Sequence, residues 1–147
     1  MLSASLTEVI NLVLGEKIAE EKGKVTGLTV KSVGPEGVHI EETFVSEVKG
    51  FGRFPSGRDI GTFNVVQRVG SVFSGTGQGT KTTLDGDSAV WKCYFIGKLE
   101  GGKYKSLTII EFMTTSQKLS WMNNLVAIED ITMDENRELS GIAYEWK

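Results

Sequence analysis

From about residue 23 onward the chain alternates apolar and polar side chains with a period of two, and turn-forming stretches interrupt the alternation. The interruptions read GPEG (34–37), PSGR (55–58), GS (70–71), DGD (85–87), EGG (100–102) and DENR (134–137). They predict eight strands, at 23–33, 37–53, 59–69, 72–84, 87–99, 103–114, 124–133 and 138–146. Between the sixth and seventh, TSQKLSWMNN (115–124) offers hydroxyl caps and the apolar pair Leu119 and Met122, which predicts one helical turn. Ahead of the strands the spacing is helical. In SLTEVINLVL (5–14), Ser5 and Glu8 form a capping box, Leu6, Val9, Ile10, Val13 and Leu14 share a face, and Gly15 follows as a stop.

Long antiparallel strands joined by tight turns form a meander, and a meander avoids exposed edges by closing on itself. The expected fold is therefore all-β: an eight-stranded antiparallel up-and-down (meander) barrel with a short N-terminal helix, residues 1–15 making the helix and 16–147 the barrel of a single domain. A chain of 147 residues suffices for one such core.

The stretch SVFSGTGQGTKTT (71–83) looks like a phosphate loop, but Thr80 stands where Gly must precede the lysine, and a β hairpin follows in place of a helix. Period two explains it better. Val72, Ser74, Thr76, Gln78, Thr80 and Thr82 share one face, and burying that many polar groups unpaired would cost about 1 to 3 kcal/mol each. The set Phe73, Gly75, Gly77, Gly79 should then face inward. Similar alternation places Ala89, Trp91, Cys93, Phe95 and Gly97 inside on 87–99, and Gly61, Phe63, Val65, Gln67 and Val69 on 59–69. Val38, Ile40, Glu42 and Phe44 are expected inside on 37–53, and Leu107, Ile109, Glu111 and Met113 on 103–114. Glu42, Glu111 and Gln67 thus become the interior polar groups, and buried carboxylates can act as acid or base. A single β-bulge would turn either carboxylate to the surface.

Charge and composition remove several classes. With 16 Lys+Arg against 19 Asp+Glu and no basic block, the electrostatic footprint of a nucleic-acid binder is missing. No apolar run approaches the roughly 20 residues of a membrane span, and no leader or transit pattern is seen. The one cysteine, Cys93, fits a reducing cytoplasm and reads as a small buried hydrophobe. The one histidine, His39, lies on a charged segment with nothing to mark it as a base, and a metal site is disfavoured by so few Cys and His.

DGDSAVWKCYFIGKL, TTSQKL, the acidic strand VAIEDITMDENREL, the terminal YEWK, and DIGTF and GTGQG upstream resemble a family of small uncharacterised prokaryotic β-barrels, themselves similar to the allene oxide cyclase-like barrels of the calycin group. The resemblance spans about residues 16 to 147 and implies an eight-stranded barrel with a central cavity, often in an oligomer. It carries over no reaction and no site residue.

Two function classes follow. The first is a binder of a small apolar ligand, or a cofactor-free isomerase or cyclase, with a cavity lined by Phe44, Phe63, Phe73, Gly77, Trp91 and Phe95 and with Gln67 and Glu111 as polar handles. The second is a non-enzymatic module whose aromatics fill the barrel and which self-associates. A cavity of several hundred Å³ favours the first and a filled core the second. No cofactor is expected, and the partners expected are a small hydrophobic ligand and further copies of the chain in a homo-oligomer.

Overall fold

Eight antiparallel strands follow one another around a closed ring in chain order, each hydrogen-bonded to the next, and β1 returns to pair with β8. The structure, a computed structural model, describes residues 14–147. The strands are β1 (Leu14–Gly34), β2 (Gly37–Gly50), β3 (Gly57–Gln67), β4 (Val72–Thr83), β5 (Ser88–Glu100), β6 (Lys103–Met113), β7 (Val126–Met133) and β8 (Glu138–Trp146). They match the expected strands closely from β2 onward. Turn chemistry is the reason: Gly86 in the β4–β5 turn has φ 89°, a conformation that glycine adopts without penalty.

β1 departs from expectation. It begins at Leu14 instead of 23, because closure requires one strand to serve two neighbours: residues 19–34 pair with β2, while Leu14–Lys24 pair with β8. Register shifts at Val25/Gly27 and Val30/Ser32 let it bend between them. The N-terminal helix of the expected fold class is corrected accordingly. Leu14, its last residue, pairs with Trp146 as a strand residue, and the only helical element among the described residues is the 3-10 turn Ser120–Asn124. The rest of the expected segment, residues 5–13, lies outside the described residues.

That 3-10 turn belongs to the stopper of one barrel end. Met122, with no exposed surface, packs with Phe54, Leu119 and Leu125 against Ile18, Ala19, Val48, Ala89, Ala127 and Ala143. Phe54 meets Trp121 edge-on at 6.4 Å, and Arg53 lies over the same indole. The β1–β2, β3–β4, β5–β6 and β7–β8 turns surround the opposite end.

The outer wall divides into two halves. On β4 it presents Ser74, Thr76, Gln78, Thr80 and Thr82. Across β5 and β6 it presents Val90 beside Met113, Tyr94 beside Ile109, and Ile96 beside Leu107, all exposed. Here the expected facing of 103–114 is reversed. Thr108, Ile110 and Phe112 turn inward, and Leu107, Ile109, Glu111 and Met113 turn outward, so three large apolar side chains of this strand are external. No helix among the described residues is long and apolar enough to cross a membrane.

Candidate functional site

A ladder of aromatic rings runs along the barrel interior. Trp91 meets Phe44 at 5.8 Å, Phe44 stacks on Phe63 at 4.4 Å, Phe63 meets Phe95 edge-on at 5.7 Å, Phe95 meets Phe73 at 6.2 Å, and Phe73 meets Tyr104 at 5.6 Å. The five aromatics expected from the sequence are thus brought together. The inward glycines are the counterpart of the rings. Gly77 is paired across the sheet with Phe63 and with Cys93, and a Cβ on it would fall 2.7 Å from Cys93 Sγ and 2.8 Å from Phe63 Cδ1. Side chains of the barrel itself occupy the space that Gly77 leaves, so Gly77 lines no open volume.

Two small chambers remain. The lower one, toward the stoppered end, has about 40 Å³ of free volume and is lined by Phe44, Phe63 and Trp91 together with Glu21, Asp59, Lys81, Thr108 and Glu129. The upper one, about 60 Å³, lies among Phe63, Phe73, Phe95 and Tyr104, with Glu42, Ser106 and Thr108 as its polar groups. Phe63, Thr108 and Ile131 belong to both linings, so the chambers adjoin.

The lower chamber's charges were not expected. Lys81 has 1% of its surface exposed and stands 3.3 Å from Asp59 Oδ1, within ion-pair range but without the alignment of a hydrogen bond. Burial pushes the Asp59 carboxyl up to about 6, against the pull of Lys81 and with help from the charge of Glu21. Glu129 is raised well above the ordinary carboxylate range, first by burial and then by Glu21. Room for its carboxyl comes from Gly141, where a Cβ would lie 2.3 Å from Glu129 Oε2. Glu21 itself accepts a hydrogen bond from the buried Ser46 hydroxyl.

Four buried polar atoms on this chamber's lining have no hydrogen-bond partner among the described residues, namely Asp59 Oδ1, Lys81 Nζ, Trp91 Nε1 and Thr108 Oγ1, although the first two face each other as an ion pair. Buried polar groups are satisfied in the large majority of cases, so four on one small cavity form an unusual concentration. Near the other end Glu42 is buried, as its alternation requires, and accepts a 2.7 Å hydrogen bond from Arg137 Nη1. Burial raises its carboxyl while Arg137 lowers it. Cys93 is buried, and burial pushes its thiol up to about 12, which suits the packing role expected of it.

Two expected handles stand elsewhere. Glu111 is exposed on the outer wall, paired in register with Lys92. Gln67 is half-buried at the last position of β3, its Nε2 3.5 Å from the Val72 carbonyl, and lines neither chamber. The residues missed had a signal: Lys81 continues the inward set of Gly75, Gly77 and Gly79, and Asp59 precedes Gly61 on its own. Among the described residues no group of three or more His, Cys, Asp and Glu is arranged to hold a metal ion.

Among solved structures the chain is similar to a protein of unknown function from Clostridium acetobutylicum, with TM-score 0.79, 15% identity, and 91% of this chain and 97% of that one covered. It is also similar to a beta-barrel like protein from Acinetobacter baumannii, with TM-score 0.78, 16% identity, and 91% and 95% covered. A conserved protein of unknown function from Rhodopseudomonas palustris matches with TM-score 0.75, 15% identity, and 90% and 97% covered. The likeness is one of fold. It supports the small-barrel part of the resemblance drawn from the sequence, and no link to allene oxide cyclase-like barrels is shown by it. No family model and no curated protein matches the chain.

Proposed function

We propose that the barrel binds a small molecule in its two adjoining chambers, with an apolar part among Phe63, Phe73 and Phe95 and a polar end toward Lys81, Asp59, Trp91 and Thr108. The concentration on one cavity of four buried polar atoms without a hydrogen bond, two of them in the Lys81–Asp59 ion pair, carries this reading. The free volumes of about 40 and 60 Å³ hold roughly three waters' worth of space together, well short of the several hundred Å³ that would by itself favour a binder, so the ligand proposed is a very small one. An isomerase or cyclase reaction would draw its base from Asp59, whose carboxyl lies near 6, and its acid from Glu129, an arrangement of separated acid and base. Ligand-observed NMR with four- to eight-carbon organic compounds tests the reading. Binding that Phe63→Trp abolishes is expected, and no binding by any of them overturns it.

A second reading, self-association, is favoured by the apolar outer wall. Tyr94, Ile109, Ile128 and Tyr144 form one row across β5 to β8, and the next row holds Ile96, Leu107 and Ile142 with the exposed Asp130 between the last two. The occupant that fits is a second copy of the chain. Lys92 and Glu111 stand side by side in this face, neither in an ion pair among the described residues, and a two-fold axis through the face lays each over its opposite in the other copy. Four strands at about 4.8 Å spacing and about 20 Å of strand length provide the apolar centre of an interface of about 800 Å² per partner. Analytical ultracentrifugation should find a dimer that Ile109→Lys with Leu107→Lys converts to monomer, and a wild type that stays monomeric at 100-fold higher protein concentration overturns it.

A further inference from the structure

We infer that the polar end of the ligand is an uncharged hydroxyl, so that the barrel selects small aliphatic alcohols over the matching acids, aldehydes and hydrocarbons. This inference rests on the small-molecule reading above and specifies the chemical class of its ligand. The four atoms without a hydrogen bond set the requirement, Trp91 Nε1 and Thr108 Oγ1 being wholly unpaired and Lys81 Nζ and Asp59 Oδ1 sharing only their ion pair. Lys81 Nζ and Trp91 Nε1 only donate hydrogen bonds, Thr108 Oγ1 donates or accepts, and Asp59 Oδ1 as a carboxylate only accepts. A group that both accepts and donates can satisfy members of both kinds. A hydroxyl does this through one atom, accepting from the indole or the ammonium while donating to Asp59.

The other simple end groups each leave a conflict. A carboxylate or phosphate would enter a lining that already holds Glu21, Asp59 and Glu129 against the single cation Lys81, and burying a further unpaired anion there is costly. An alkylammonium would turn its donors toward the donors of Trp91 and Lys81. An aldehyde or ketone oxygen accepts but cannot donate, so Asp59 Oδ1 keeps its ion pair with Lys81 but gains no hydrogen bond, and the advantage is smaller. A hydrocarbon satisfies none of them. The upper chamber supplies the complementary surface for the chain, with Val65, Phe73, Phe95, Ile131, Met133 and Leu139 around it.

Isothermal titration at pH 7.5 with 1-hexanol, hexanal, hexanoate and hexane separates the possibilities. The expected order is hexanol tightest, hexanal about 3- to 10-fold weaker, as for the loss of one hydrogen bond, and hexanoate and hexane at least 10-fold weaker than hexanol. Thr108→Val, which keeps the side-chain shape, and Trp91→Phe should each reduce hexanol affinity about 3- to 10-fold and leave hexane unchanged. Two substitutions at separate positions guard against one failing to fold, which the melting temperature reports. Hexanoate binding as tightly as hexanol overturns the inference, as does equal binding of hexane and hexanol, while in both cases small-molecule binding itself stands. No binding by any of the four overturns both.

Discussion

Gly79 and Trp91 face each other across the β4–β5 pair, and the indole lies so close over the glycine that a Cβ there would fall 2.4 Å from Trp91 Cζ2. The Ile60 carbonyl oxygen would be equally near, at 2.4 Å, so neither ring nor backbone can withdraw without disturbing a second strand. Gly79→Ala should therefore destabilise the fold by about 1 to 3 kcal/mol through overpacking alone. Urea denaturation checks it; a change below about 0.5 kcal/mol would show that the ring has room to move. Gly77→Leu meets Cys93 Sγ and Phe63 in the same way and should fall at or above that range.

The buried carboxyls give the protein an uncommon dependence on pH. Asp59 titrates near 6 in the folded chain against an ordinary value of 3.8, so the folded state holds this proton more tightly than the unfolded state does. Its contribution is fully present below pH 4 and is lost as the pH rises to about 6, a fall on the order of 3 kcal/mol. Glu129, raised well above the ordinary carboxylate range first by burial and then by Glu21, adds a loss of the same sign. Exposed Asp85 acts in the opposite sense: the hydrogen bond from Lys118 holds it down to about 2, so its contribution is lost between pH 4 and 2. Unfolding free energies measured at pH 4, 5, 6 and 7 should decrease along the series, and Glu129→Gln should make the decrease smaller. An increase from pH 4 to 6 would contradict this assignment.

Arg137 combines an ion pair with a strained backbone. Its guanidinium holds the buried Glu42, yet its φ of 61° lies in the left-handed region that side chains with a Cβ enter at a cost of about 1 kcal/mol or more. Arg137→Ala and Arg137→Gly both remove the charge, and the glycine variant also relieves the strain. The glycine variant should therefore be more stable than the alanine variant by about 1 kcal/mol, read from the denaturant midpoints. Equal midpoints would locate the strain elsewhere.

Cys93 should be chemically silent in the native protein. Its surface is 2% exposed and its thiol is pushed up to about 12, so very little thiolate forms at pH 8. A thiol reagent such as Ellman's reagent should react at the rate of unfolding and become fast only in denaturant. Rapid stoichiometric reaction in buffer would show that the barrel opens far more often than its packing implies.

The strands were legible because turn residues and period-two alternation are local signals, and the inward aromatics followed from the same alternation. The charged chamber was not. Lys81 lies on the inward face of β4, one alternate position beyond Gly79, but an inward lysine is improbable until its partner is known, and Asp59 sits on another strand. Only the register of β3 against β4, which pairs Asp59 with Lys81 directly, brings them together. On β6 the alternation was legible and the facing was not. Both faces mix apolar and polar residues, Leu107, Ile109, Glu111 and Met113 against Ser106, Thr108, Ile110 and Phe112, so hydrophobicity alone does not decide the facing, and choosing the first set carries Glu111 to the wrong side. The beginning of β1 was hidden for a third reason, since helical spacing in residues 5–14 says nothing of a ladder to β8 that closes only when the whole chain is folded.

The apolar stopper formed by Phe54, Leu119, Met122 and Leu125 makes the barrel a blind-ended vessel. On the proposed binding reading, a molecule that enters head first from the turn-ringed end would leave tail first, its depth fixed by the floor rather than by its own length. In a homologous series of alcohols each added methylene should gain about 0.8 kcal/mol while it is still inside, and nothing once it projects past the turns. Affinity plotted against chain length would then rise and level off, and the carbon number at the break would be a direct measure of how deep the vessel is.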